Sequence, residues 1–519
     1  MGGYQMKIER ILIEDQMAPI GLDEKKPAFS WLLTAEEGEQ NLMQSACRIV
    51  VRTGEDTVWD SGKMETGVST GIGYEGEALQ PCTKYEVKAE VWDNHGGKAE
   101  AESSFETGLM DSLYAAWEGA EWIGAPHATV CAENRGVFTI ESEFRMEGGK
   151  GEAGIVFGAN DFRLNDHTKN ELGMEGENYI RYAVCLEDGD ARLEIYRVGY
   201  APEDTAEKPF AVTKLVNWKE KTQEILTPEN ADAFHKLTVE VDGNVAYAYV
   251  DGILVDAIEE HGFFGTKVSG RQLNPRGNND VLPYPRLNEI GFYAGKGTTG
   301  YFKNLTVRNV RKPSAEIVRE TPEGRLDGGK SIFADQIPVE NGYFKVEDSQ
   351  ITADPSHHSI PMLRSCISCQ KEKKLASARL YITARGIYDC RINGQEITED
   401  LLRPGLTQYD HRMNYQTYDI TGLMKPGRNG IGVTLASGWW SEAQTFVVKN
   451  FNYFGDKESL LAKVVMKYED GSREVFGTNT EDWKYFGEGP YLFSSYFAGE
   501  QYDARRAEVY ETYSLPEFD

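Results

Sequence analysis

Apolar side chains recur at every second position in short runs along this chain. CRIVVRTG, YEVKAEVWD, LTVEVDG, VAYAYVDG, ARLYITARG and LAKVVMKYEDGS are such runs, bounded by Gly, Asn, Asp or Pro. A period of two places alternate side chains on opposite faces of a strand, so one face is buried and the other solvated. A sustained 3.6-residue period is nearly absent. The Asp251-Gly252, Asn393-Gly394 and Asp470-Gly471 pairs predict hairpin turns, because both residue types accept positive φ. One helical turn is predicted at DITGLMKPG, capped by Asp419 or Thr421 and stopped by Pro426. The pattern predicts an all-β chain of three consecutive β-sandwich or jelly-roll domains.

At 519 residues the chain is too long for one core. The first domain is placed at residues 4–118, with strands near KIERILIE, AFSWLLT, CRIVVRT, YEVKAEVWD and AESSFETG, and with Trp31 and Trp92 in its core. WEGAEWIG marks a join. The second, residues 119–312, has the longer strand series of a concanavalin-like jelly roll, a candidate carbohydrate-binding module. RKPSAEIVRETPEGRLDGGK, polar with Pro and Gly, is expected as a linker. The third covers residues 330–519.

A net charge of −28 argues against nucleic acid or an anionic membrane as partner, since phosphate binding needs clustered Lys and Arg. It suits a neutral or cationic ligand. The seven cysteines are odd in number and scattered, so no disulfide framework is expected. Cys366 and Cys369 form a CxxC inside an alternating run, without the helix of a redox motif or a second zinc-ligand pair. MGGYQMKIERILIED lacks the basic and apolar regions of a signal peptide. A reduced, cytoplasmic setting is the expectation.

Two loops carry candidate chemistry. In FGANDFRLNDHTKN a hydrophobic run leads into Asn160, Asp161, Asn165 and Asp166. Asn160 and Asp161 supply oxygens of the kind Ca²⁺ takes, and an ion there would bridge protein and sugar hydroxyls. Arg163 follows, and Asn178 and Tyr179 in GENYIRY come one strand later, at the same rim. The competing reading is an Asx-turn loop whose side chains bond their own backbone. LNPRGNNDVLPYPRLNE is a long polar loop with Asn279 near its centre, either closing over that site or acting as scaffold. Trp439-Trp440 follows a strand, so one ring faces inward and the other outward. No ExDxxE strand, GxSxG elbow, HExxH or P-loop is present, and no catalytic residue is assigned.

In the third domain, ARLYITARGIYDCRINGQEI, RPGLTQYDHRMNYQTYDITGLMKPGRNGIGVTLASGWWSE and FAGEQYDARR follow one another in order. This series resembles the N-terminal accessory β-domain of bacterial α-L-rhamnosidases. FGANDFRLND, GENYIRY, YRVGYAPED, LNPRGNNDVLPYPRLNEIGFY and FKNLTVRN resemble the jelly roll that precedes it in some of them. SWLLT, WDSGK and EVWDNHGG are similar to their leading fibronectin-like module. The resemblance implies a parent enzyme that hydrolyses terminal α-L-rhamnosides with inversion in an (α/α)6 barrel placed after these domains. It also implies an Asp–Asn pair that holds sugar through Ca²⁺, to which Asn160-Asp161 corresponds. No block of long amphipathic helices occurs, so the catalytic domain is expected to be missing from this chain, and the chain alone to be inactive. Two other readings stand beside this one: β-domains that only brace the barrel, and a free-standing lectin-like protein.

Overall fold

A computed structural model describes residues 6–35, 41–125, 137–160, 178–200, 204–216, 225–242, 245–258, 287–310, 312–326, 328–355, 359–441, 454–455, 457–496 and 499–518. Strands dominate. Among the described residues the longest helix is the six-residue Ala507–Thr512, and no helix is long and apolar enough to cross a membrane.

The first domain is a sandwich. Met6–Ile13, Ala28–Ala35 and Ile72–Gly73 form one sheet; Asp56–Asp60, Gln44–Thr53, Lys84–Asp93 and Lys98–Glu106 form the other. Ile11, Phe29, Trp31, Ile49, Val87 and Phe105 fill the space between. Trp92 departs from expectation. Val87, Ala89 and Val91 alternate inward, so Trp92 points outward by the period of two. It lies under the ammonium groups of Lys63 and Lys98, at 5.1 and 5.4 Å from its ring centroid.

In the middle domain a continuous ladder runs Phe210–Leu215, Asp190–Val198, Tyr179–Glu187, Gly151–Ala159, Glu289–Phe302, Val137–Met146, His235–Asp242, Val245–Val250, Ile253–Ile258. Glu289–Phe302 links two layers, pairing with Gly151–Ala159 at its start and with Val137–Met146 at its end. Phe138, Ile140, Ile155, Phe157, Ile180, Leu193, Val239 and Phe292 meet in the core. Asp251 and Gly252, at φ 53° and 80°, make the expected hairpin turn.

The stretch expected as a linker is built into this sheet. Lys312–Thr321 pairs with Leu305–Asn309, and Tyr343–Ala353 runs along Glu289–Phe302. The apolar pair Ile317 and Val318 anchors the former, each only 5% exposed. Phe333 and Phe344 join Phe292 in an aromatic cluster with centroids 5.0 and 5.5 Å away. The sheet therefore continues past residue 312, to Ala353. Two buried residues among polar neighbours were too sparse a signal to read as a strand.

The third domain packs Gln395–Glu396, Ile387–Ile392, Gly427–Ala436, Met362–Cys369 and Lys484–Phe486 against Gln416–Asp419, Leu375–Arg385, Ser459–Tyr468 and Arg473–Gly477. Ile382, Tyr388, Val433, Leu435, Leu460 and Val464 lie between the sheets. The turn at DITGLMKPG is the 3₁₀ segment Thr421–Leu423, with Asp419 Oδ1 accepting from the Thr421 amide at 3.0 Å. Cys366 and Cys369 sit on the strand Met362–Cys369, and the six described cysteines are all free.

First and third domains touch, although the middle domain separates them in sequence. Arg379 donates to both oxygens of Glu106, at 2.7 and 2.6 Å. The Tyr415 hydroxyl donates to Asp23 and accepts from the Leu109 amide, both at 2.7 Å. The joining segment adds Ile123–Gly124 as an edge to Ser459–Tyr468.

Candidate functional site

The strand Gly151–Ala159 ends in a deliberate irregularity. Its register against Glu289–Phe302 shifts between Val156 and Ala159. Gly158 and Asn160 have φ of 64° and 51°, conformations that Gly and Asn adopt more readily than other residues. Such a bulge re-aims the side chains that follow. Three bonds then fix this corner. Asn178 Nδ2 and the Tyr200 hydroxyl both donate to the Gly158 carbonyl at 2.8 Å, and the Asn160 amide donates to the Asn178 carbonyl at 3.0 Å.

Asn160 is exposed, and its side-chain amide donates to Glu289 Oε2 at 2.8 Å. Thr352 Oγ1 donates to the same oxygen at 2.7 Å. The Asn160 amide group and a carboxylate thus stand together at the strand end, the amide nitrogen toward the acid. Asn178 is fully buried. Among the described residues its Oδ1 meets no hydrogen-bond donor, a costly state for a buried acceptor. Asp161, Arg163, Asn165, Asp166 and Asn279 lie outside the described residues.

Beside this corner is the outer face of the sheet. Tyr179 and Arg181 share that face by the strand period, and register places Arg181 opposite Val156 on one side and Tyr196 on the other. The Arg181 guanidinium carbon lies 3.7 Å from the Tyr293 ring centroid, 4.3 Å from Tyr196 and 5.8 Å from Tyr179. Among the described residues it makes no ion pair, and its Nε is buried without a hydrogen bond. Set against these π faces, the half-buried cation gains cation–π attraction.

Acids flank it. The Tyr293 hydroxyl donates to Glu152 Oε2 at 3.2 Å. Burial pushes the Glu152 carboxyl above its usual range, opposed by the nearby Arg181 charge. Tyr293 is pushed up to about 12, again chiefly by burial. Glu194 accepts from Arg192 Nε at 3.2 Å and from the Tyr196 hydroxyl. The face offers hydrogen-bond donors, carboxylate acceptors and ring surfaces, the mixture that recognises a neutral polyol.

Of the sequence-predicted residues, the structure brings Asn160, Asn178 and Tyr179 to one corner. Asn178 serves the backbone there, whereas Tyr179 lies on the outer face. Arg181, Tyr293, Tyr196 and Glu289 were not singled out. The alternation within GENYIRY and NEIGFY already places Arg181 with Tyr179 and Tyr293 with Glu289 on one side. That both strands pair with the same neighbour, Gly151–Ala159, was not visible.

The tryptophan pair sits on a short helix, Gly438–Ser441. Trp439 packs on Tyr496, with centroids 4.6 Å apart, and Trp440 on Tyr409 at 5.8 Å.

Residues 373–519 match the family model described as the α-L-rhamnosidase N-terminal domain, and residues 8–111 match the Rha78A-like N-terminal immunoglobulin domain. An α-L-rhamnosidase of Streptomyces avermitilis is 26% identical over 517 residues, 98% of this chain and 43% of that protein. An α-L-rhamnosidase of Formosa agariphila is 39% identical over 132 residues, 25% of this chain and 14% of that protein. The chain thus spans less than half the length of these relatives. The crystal structure of the Streptomyces avermitilis enzyme complexed with L-rhamnose superposes with a TM-score of 0.54 at 21% identity, covering 99% of this chain and 44% of that one; this is a likeness of fold. Together the two family-model matches and these relatives support a region of an α-L-rhamnosidase-family glycoside hydrolase.

Proposed function

We propose that this chain is the non-catalytic β-domain region of an α-L-rhamnosidase-like glycoside hydrolase, and that its middle jelly roll binds a terminal L-rhamnosyl unit. The observation that carries the proposal is Arg181, stacked on Tyr293 and Tyr196 without an ion pair, next to the Asn160–Glu289 corner. Guanidinium N–H groups donate to sugar hydroxyls, and Glu289 and Glu194 accept from them. Half-buried Tyr293, packed on the buried cluster Val156, Ala159, Tyr179 and Val198, is the ring against which a 6-deoxy sugar's methyl group would lie.

Calcium fits this corner as a bridging ion. Asn160 Oδ1 and the Glu289 carboxylate are hard oxygen donors, and Asp161 follows directly in sequence. Ca²⁺ takes ~6–8 oxygens, so sugar hydroxyls and water would complete the shell. The parent enzyme's reaction, by this reading, is hydrolysis of terminal α-L-rhamnosides with inversion, by machinery that the β-domains do not supply.

Titration calorimetry with L-rhamnose, with and without EDTA, tests the binding. Saturable heat is expected, about tenfold weaker affinity in Arg181→Ala, and loss of binding in Asp161→Ala or on chelation. Absence of heat under both conditions would leave the bracing role alone standing, a role to which the Glu106–Arg379 and Glu118–Lys463 contacts between segments already point.

A further inference from the structure

The third domain contains a cavity of about 350 Å³ far from the jelly-roll corner in sequence. The strand Ile387–Ile392 supplies Asp389, the loop before Pro404 supplies Leu401 and Arg403, and the last segments supply Tyr491, Glu500 and Tyr510. Its size is at the lower end of small-molecule sites, enough for one small ring.

The polar groups are arranged in a particular way. Arg403 is 6% exposed at its side chain and is ion-paired through Nη2 to Asp389 Oδ1. Among the described residues its Nε and Nη1, shielded from solvent, meet no hydrogen-bond acceptor. A buried cation at this position offsets the Asp389 charge. The other oxygen, Oδ2, has only a long contact, 3.5 Å from the Tyr510 hydroxyl, and the Asp389 side chain is 46% exposed. It is an acceptor open to a donor. Glu500, exposed, adds a second acceptor, reached by Ser494 Oγ only at 3.4 Å. Tyr491 and Tyr510 meet edge to face, with centroids 5.2 Å apart, and form an aromatic wall. Leu401 stands at the lip with 83% of its surface exposed.

We propose that this cavity is a second carbohydrate site, taking a neutral pyranoside ring between the tyrosine wall and the Asp389–Glu500 acceptors. Two carboxylates repel an anion. Arg403 offsets Asp389, so Glu500, exposed to solvent, is the one unbalanced charge among the lining residues named. What remains is a demand for hydroxyl donors on a ring with one apolar face, which is the chemistry of a neutral sugar.

The test uses the full chain carrying Asp161→Ala, so that middle-domain binding is lost and the two sites report separately. Methyl α-L-rhamnoside, methyl β-D-glucoside, methyl β-D-galactoside and methyl α-D-mannoside are titrated at millimolar levels and followed by ligand-observed NMR. At least one should bind saturably. Ser494→Trp, which places a large ring in the cavity without touching buried Arg403, should abolish that binding. Glu500→Gln, a substitution at an exposed position, should weaken it by about tenfold. Absence of saturable binding for all four would overturn the proposal. So would binding that survives Ser494→Trp, or binding of choline in place of the glycosides.

Discussion

Asn178 shows how one side chain can set a site without touching its ligand. Its amide nitrogen holds the Gly158 carbonyl, and its own carbonyl holds the Asn160 amide. Asn178→Ala removes the first bond but leaves Tyr200 on the same carbonyl. Denaturant unfolding should show a loss of about 1–2 kcal/mol. Asn178→Asp should cost more, because a buried carboxylate would face a carbonyl with no donor between them. At this scale the sequence was half legible. The cluster after FGA is conspicuous because amides and acids rarely crowd a strand end without a structural or binding purpose. That Asn178 turns inward, and that Arg181 lies on Tyr293 across two strand pairings, depends on register. Register is a property of the assembled sheet rather than of any single strand.

At the scale of elements, the hairpin holding Asp251 contains a charge pair that links stability to pH. His235 is buried, with Nδ1 2.8 Å from Asp251 Oδ2 and Nε2 2.9 Å from the Asn230 carbonyl. Both ring nitrogens face acceptors, so the imidazolium satisfies them best. Burial lowers its pKa, but the Asp251 and Asn230 bonds outweigh this and the net shift is upward. Burial likewise raises Asp251, the largest single effect, but the His235 and Lys236 bonds and the His235 charge together outweigh it, so that carboxyl is held below its usual range. A raised histidine pKa contributes stability that is complete below the unfolded value of about 6.5 and is lost as pH rises through the folded one. The lowered Asp251 contributes above about 3.9 and is lost as pH falls. Thermal melts should therefore show the wild type losing stability as pH rises above about 6.5, and His235→Gln losing less over the same rise. A flat wild-type profile would contradict the pairing. Elements of this kind were the most readable part of the chain. Alternation and Asp-Gly or Asn-Gly turns are local signals, and the 251–252 and 393–394 hairpins follow them. Lys312–Thr321 was missed because its buried residues stand among charges and a proline.

At the scale of the whole molecule, the order of β-domains is written along the chain, but the contact of first with third domain is not. It rests on scattered charged residues, on Tyr415 and on a small apolar cluster of Leu109 and Trp117 with Tyr381, Leu461 and Val465, all with partners hundreds of positions away. Glu118 accepts from Lys463 at 2.8 Å and from Arg473 at 2.7 and 2.8 Å. Arg473 chiefly, then Lys463, hold its carboxyl near a pKa of about 2 against the effect of burial. Lys463 is 1% exposed, so Glu118→Gln leaves a buried ammonium without its counter-charge. A loss of roughly 2 kcal/mol is expected, with earlier proteolysis of the 109–125 joining segment. Arg379→Met, which breaks the fork on Glu106, should act in the same direction. Limited proteolysis with mass analysis distinguishes loosening at the junction from general unfolding.

The most direct measurement is a crystal of this chain soaked with methyl α-L-rhamnoside and calcium. Difference density for the sugar is expected over Arg181 and Tyr293, beside Asn160 and Glu289. A soaked crystal with that face empty, or with density only in the third-domain cavity, would contradict a rhamnose-binding jelly roll.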